Sequence, residues 1–303
     1  MNVFLALWIA IGLLLHGCGS DPKPMFVDAG VVIRANQERD TGESNAKVLR
    51  VAVGAMVSPK RTFVHYQRLL NYLGSNVGET ISLVQRKTYA EINQGLASGI
   101  IDLAFICSGP YVIGRKNHDF SLIAVPQVRG KSTYQSYLIV NSKSDFNQLE
   151  DLRGMAFAFT DPYSNTGRFV PLAWLSEIGQ TPETFFGSTL YTYGHDNSIL
   201  AVSRNLVDAA AVDGLVWDYF HEKLPEMVAG TRVIRRSDEY GIPPVVCSSL
   251  LAPERQTVIR SVLLNMHNDQ RGLEILRELL IDKFVLPDED LYDSLEALFH
   301  AVR

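Results

Sequence analysis

From Leu49 onward the chain alternates β-type and helical patterns, and this succession limits the available folds more than any other feature. Leu49–Val53 is a β-type run that ends at Gly54. Ser58-Pro59 follows as a helix N-cap with proline at the first helical position. Tyr66, Leu69, Leu70 and Leu73 fall at i, i+3, i+4 and i+7, which gives that helix one apolar face. Ile81–Val84 reads as a second strand, Tyr89–Ser98 as a second helix and Ile101–Cys107 as a third strand. Strand, helix, strand, helix, strand predicts a mainly parallel sheet flanked by helices. Such a sheet gathers the strand C-termini and the following helix N-termini on one edge, where α/β proteins bind ligands.

β-type runs follow at Leu122–Val128 and Ser136–Val140, and past residue 141 the alternation restarts. Leu149–Leu152, Asn165–Ile178 and Ser198–Leu206 are expected helices; Met155–Phe159, Thr189–Tyr193 and Ala209–Val212 are expected strands. After Ile242-Pro243-Pro244, Val245–Leu250 is again β-type, and three helical segments close the chain. The expected fold class is therefore α/β with two lobes. Residues 48–140 with 246–303 form the first lobe and 141–245 the second, with crossings near 141 and 245 and a hinged cleft between them.

Val3–Leu15 is uninterrupted apolar sequence, and Met1–Gly17 contains no Lys, Arg, Asp or Glu. A bilayer span needs about 20 such residues, so residues 1–17 are read as a signal peptide. Leu15-His16-Gly17-Cys18 resembles a bacterial lipoprotein signal, which would make Cys18 the acylated mature N-terminus. Residues 18–47 are polar, without sustained periodicity, and read as a tether. The other cysteines, Cys107 and Cys247, lack zinc spacing and are expected as buried free thiols. With 33 acidic against 28 basic residues and no basic block, nucleic acid is not an expected partner. A small anion remains possible, because a cleft can carry a local potential unlike the mean.

Four strand-to-helix junctions carry the candidate chemistry. In Thr160-Asp161-Pro162-Tyr163-Ser164-Asn165-Thr166-Gly167 a strand ends and a hydroxyl-rich run opens a helix. The free N–H groups and dipole of such a helix start attract an anion. Ser164 and Thr166 add hydroxyls, and Gly167 permits close approach. A plain N-cap explains the same residues equally well. Pro171 should disturb the opening turns of this helix. At the second junction Ser108 offers a hydroxyl and Tyr111 a phenol. At the third, His195 precedes a helix. At the fourth, Asp213 stands at a strand end, where it caps the next helix or accepts a hydrogen bond from a protonated P–OH. No His/Cys/Asp cluster has metal spacing, and no cofactor motif is present.

Taken in order, TYAEINQGLASGIIDLAFICSGPYV, AFTDPYSNTG, YTYGHDNSILAV, VDAAAVDG and GIPPVV, with MHND at 266–269, resemble the PhnD-type phosphate/phosphite/phosphonate-binding proteins of ABC transporters. The resemblance implies a type II periplasmic binding protein fold holding a phosphorus oxyanion between its lobes, and delivery to an ABC permease. Together with the lipoprotein-like signal, it implies an exported, lipid-tethered monomer that is not an enzyme. By position it assigns ligand contacts to Tyr111, Ser164, Asn165, Thr166, His195 and Asp213, and more loosely to Ser58 and Thr62. Two other readings compete: a sensory module reporting occupancy to a membrane partner, and a hydrolase using Ser108, His195 and Asp213 as a triad. The sequence has no nucleophile-elbow motif for the latter. The choice among oxyanions falls to cleft volume and to Asp213, Tyr111, Tyr134 or Tyr137.

Overall fold

The computed structural model describes residues 47–54, 59–118 and 120–302, with side chains from Tyr66 onward in the first helix. The expected signal peptide, the Cys18 lipidation site, the tether up to residue 46 and Ser58 lie outside the described residues, as does the side chain of Thr62.

The first half of the chain runs β1 (Val48–Val53), α1 (Pro59–Val77), β2 (Thr80–Val84), α2 (Tyr89–Ala97), β3 (Leu103–Phe105), α3 (Ser108–His118), β4 (Ser121–Gln127), β5 (Thr133–Tyr134) and β6 (Ser136–Asn141). Next come β7 (Ala156–Phe159), α4 (Val170–Glu177), α5 (Pro182–Phe185), β8 (Ser188–Tyr191), α6 (His195–Ser203), β9 (Ala209–Asp213), α7 (Gly214–Lys223) and β10 (Thr231–Arg236). The chain finishes with β11 (Tyr240–Gly241), β12 (Val245–Cys247), α8 (Pro253–Asn265), α9 (Gln270–Glu278), β13 (Lys283–Val285) and α10 (Asp293–Ala301).

Two sheets result, one six-stranded in the order β13-β4-β12-β3-β1-β2 and one five-stranded in the order β10-β6-β9-β7-β8. Both are mixed rather than mainly parallel. β2, β1 and β3 pair in parallel, as the βαβ alternation requires, while β12, β4 and β13 extend that sheet antiparallel. In the second sheet β8, β7 and β9 are parallel and β6 and β10 antiparallel. Of the antiparallel strands, β4, β6, β10 and β12 flank the crossings between lobes, and β13 adds an edge to the first sheet.

One expected boundary moves. The sequence pattern puts Ser136–Val140 in the first lobe, but as part of β6 these residues lie between β10 and β9 in the second sheet. The first crossing therefore comes before Ser136. Both crossings pass through β5 and β11, which pair with each other as a small antiparallel ladder at Tyr134↔Tyr240 and Thr133↔Gly241. The C-terminal helix also departs from its assignment to the first lobe alone. α10 touches α3 of the first lobe and α4 of the second, and the Phe299 ring meets Phe169 edge-on at 5.2 Å.

Three apolar clusters hold the two-lobed body together. One lies within the first lobe around Leu49, Leu69, Leu103 and Ile259; one lies within the second around Ile139, Ile199, Val212 and Phe220. The third joins the lobes, from Val112 and Phe120 through Phe159 and Trp174 to Tyr292 and Phe299. Burial of apolar area at about 25 cal/mol per Å² makes such clusters the main source of stability, and here one of them favours the closed arrangement. Among the described residues no helix is long and apolar enough to cross a membrane.

Candidate ligand-binding site

The centre of the site is the turn at the end of β7. Asp161 Oδ1 accepts from the Tyr163 amide at 2.8 Å, and the Ser164 hydroxyl accepts from the Gly167 amide at 3.0 Å as the N-cap. Residues Asn165–Phe169 form a π-helical turn before α4 begins. Pro171 has no N–H to donate into a regular opening turn, so the wider turn answers the expected disturbance. Gly167 is required here because a Cβ would overlap the Thr160 side chain. The turn is also tied to the sheet, since Ser136 Oγ donates to the Thr166 carbonyl at 2.7 Å.

His195 sits in the first turn of α6, which begins three residues earlier than the pattern suggested. The Asp213 amide donates to its Nδ1 at 3.0 Å, and Thr160 Oγ1 lies 3.2 Å from the same nitrogen. A ring nitrogen that accepts is unprotonated, so the neutral ring carries its proton on Nε2. Burial alone drives the His195 pKa down to about 3. His195 is thus a neutral donor rather than a cation.

Asp213 caps α7, with Oδ1 accepting from the Leu215 and Val216 amides at 2.8 and 3.4 Å. Desolvation pushes its pKa up to about 7 despite these two amides, with a small further push from Asp218. Its other oxygen, Oδ2, has no partner.

From the first lobe and the hinge come three more groups. Tyr134 of β5 places its hydroxyl 2.6 Å from Ser108 Oγ, 3.3 Å from Asn165 Nδ2 and 3.6 Å from the Cys107 sulfur. Tyr89 opens α2, which a capping box built by Thr88 and Glu91 secures. The Tyr89 amide donates across the cleft to Asp161 Oδ2 at 3.1 Å. Its side chain packs beside Cys107, and its hydroxyl is buried without a partner. Cys107 and Cys247 are both free and buried.

The lobes meet closely at this point. A Cβ on Gly109, at the start of α3, would overlap the Tyr163 carbonyl and stand 2.8 Å from the Asn165 nitrogen. Ser108, Ser164, Asn165, Thr166, His195 and Asp213 are all fully buried. Five polar atoms here have no hydrogen-bond partner among the described residues: Tyr89 OH, Asn165 Oδ1, Thr166 Oγ1, His195 Nε2 and Asp213 Oδ2. Leaving a buried polar group unpaired costs about 1–3 kcal/mol, so five in one contiguous neighbourhood mark a place built for a polar guest. A half-turn of the Asn165 amide would let Oδ1 accept from Tyr134 and present its two N–H groups to an anion.

Two expectations are corrected by this geometry. Tyr111 is turned away from the cluster, with its ring edge-on to Tyr292 at 4.7 Å and under the Arg115 guanidinium. Ser108 at the start of α3 faces the cleft through Tyr134, while Tyr111 packs against Tyr292. The hydrolytic triad is not assembled either. Ser108 is bonded to Tyr134, His195 turns Nδ1 to a backbone amide, and its Nε2 contacts neither Ser108 nor the Asp213 carboxylate. Tyr89 is a member of the polar cluster that sequence reasoning missed; its place at a helix start, on the same sheet edge as Ser108, was the available signal. Among the described residues no group of His, Cys, Asp and Glu could hold a metal ion.

A family profile described as the periplasmic substrate-binding protein of ABC phosphonate transporters matches residues 51–292. A phosphate-import protein of Mycolicibacterium smegmatis is 25% identical over 256 residues, 80% of this chain and 75% of its own. In structure, a binding protein of an ABC phosphonate transporter from Pseudomonas aeruginosa superposes with a TM-score of 0.80 at 22% identity, over 85% of this chain and 87% of that one. A Prochlorococcus marinus protein solved in complex with methylphosphonate gives 0.76 at 19% identity, over 84% and 98%. The fold is that of the type II periplasmic binding proteins, and with the profile spanning most of its length, the chain belongs to the family of periplasmic substrate-binding proteins of ABC phosphonate transporters.

Proposed function

We propose that the closed cleft holds one tetrahedral phosphorus oxyanion, a phosphonate, phosphite or phosphate, and that the chain delivers it to an ABC permease. The observation that carries this reading is the set of five buried, unpartnered polar atoms drawn from both lobes. The M. smegmatis relative named for phosphate import and the P. marinus structure with methylphosphonate point to the same ligand class. Ser164, Asn165 and Thr166 present a helix start, His195 Nε2 donates without adding charge, and Tyr89 and Ser108 close the first-lobe side. Exclusion of water strengthens each of these bonds. Asp213 Oδ2 accepts from a P–OH, so the carboxylate and the ligand share one proton between them. With the Asp213 pKa near 7, affinity should fall as pH rises above about 7, where both partners lose that proton.

The protein acts as a carrier and not as an enzyme, since the Ser108 hydroxyl has no base. Calorimetric titration with phosphate, phosphite and methylphosphonate, with sulfate as a control that carries no proton near neutral pH, tests the reading. Binding of none of the three phosphorus compounds would overturn it. We further propose that the exported chain is a monomer anchored through acylated Cys18, on the strength of Leu15-His16-Gly17-Cys18. A Cys18→Ala chain that stays in the membrane fraction would refute the anchor.

A further inference from the structure

Beside the polar cluster lies a cavity of about 130 Å³ between the lobes. Tyr66, Phe105, Ile106 and Val128 wall it on one side, and Leu215 and Val216 on the other. Asp213 is the single charged residue among the described residues that line it. Because Asp213 also belongs to the polar cluster, the cavity opens directly beside the proposed oxyanion. Its volume is close to the roughly 150 Å³ of apolar cavities that stay dry and accept a benzene-sized guest.

We propose that this cavity receives the organic substituent of a phosphonate, and that the substituent is uncharged and apolar, a short alkyl chain or a single ring. The inference rests on the oxyanion reading of the cleft and specifies its substrate class. Phosphate and phosphite place only a hydroxyl or a hydrogen at this position and would leave the apolar walls uncovered. An anionic substituent would meet no cation on the described walls. An ammonium group would find one free carboxylate oxygen, since Asp213 Oδ1 is held by the Leu215 and Val216 amides, and beyond it, on the described walls, only the neutral tyrosines Tyr66 and Tyr219; burial of a charge with incomplete pairing is unfavourable. An apolar group loses nothing on entry, and each buried methylene adds to binding.

The test is calorimetric titration of the full-length chain with phosphite, methyl-, ethyl-, propyl- and phenylphosphonate, and 2-aminoethylphosphonate. Affinity is expected to rise about fourfold per methylene from methyl to propyl, with phenyl at least equal to propyl. 2-Aminoethylphosphonate, the near-isostere of propylphosphonate, should bind at least about tenfold more weakly than propyl. Affinities that are flat or fall with chain length, or an aminoethyl compound equal to propyl, would overturn the inference while leaving oxyanion binding intact. Absence of binding by every compound, phosphite included, would remove the underlying reading as well. Val128→Phe fills the cavity from the first lobe and should spare phosphite while weakening propyl and phenyl at least about tenfold. Equal effects on phosphite and phenyl would count against the proposal. Val216→Phe makes the same test from the second lobe if the first variant does not fold, and the ligand series on the unaltered chain depends on neither.

Discussion

The two lobes share one architecture and prepare their binding groups differently. In the second lobe three groups are fixed by local bonds before any ligand arrives, Ser164 by the Gly167 amide, His195 by the Asp213 amide and Asp213 by the Leu215 amide, while the Thr166 hydroxyl is left without a partner. In the first lobe and hinge, Ser108 is held only through Tyr134, and the Tyr89 hydroxyl is held by nothing. The second lobe is therefore the preorganised half of the site. The first lobe is the half that closes on it, through the Tyr89 amide on Asp161 and the fit of Gly109 against Tyr163.

The sharpest way to break that contrast is Gly109→Ala. Its methyl group would strike the backbone of the opposite lobe, so each lobe should fold normally while closure fails, with affinity for methylphosphonate down at least about a hundredfold. Unchanged affinity in calorimetry would mean the lobes need not approach this closely. Thr166→Ala removes a buried second-lobe hydroxyl and should cost ten- to a hundredfold in affinity, the worth of a hydrogen bond to a charged group at about 1.5–3 kcal/mol.

Tyr89→Phe separates the halves by sign. It removes a buried hydroxyl that is unpaired without ligand, so the ligand-free protein should gain about 1 kcal/mol in stability while affinity falls several-fold. A loss of stability in denaturant titration would place that hydroxyl in a bond within the empty protein.

A last contrast concerns pH. Asp213, raised from 3.8 to about 7, favours its neutral form in the folded state. Its contribution to stability is full below pH 4 and is lost as pH rises to about 7, at a limiting slope of about 1.4 kcal/mol per unit. His195, lowered from 6.5 to about 3, works oppositely, and its contribution is lost as pH falls through that window. Asp213→Asn keeps a capping side chain and should remove only the first slope. Thermal unfolding of both proteins between pH 4 and 7 would show parallel curves if Asp213 were an ordinary carboxylate.

The sequence by itself determined the α/β succession, most element positions and the run Ser164-Asn165-Thr166 with His195 and Asp213, because strand and helix periodicity and strand-end chemistry are local properties. Helix-start donors can be read from a few neighbouring residues. What only the tertiary structure decided depends on contacts distant in the chain. β6 joins the second sheet because β9 and β10 flank it. Tyr134 and Tyr89 enter the site in place of Tyr111 because the β5–β11 ladder and the α2 start aim them there, while Tyr292 draws Tyr111 away. The state of His195 and Asp213 was likewise beyond the sequence, since both pKa shifts come from desolvation, and burial is a property of the whole fold.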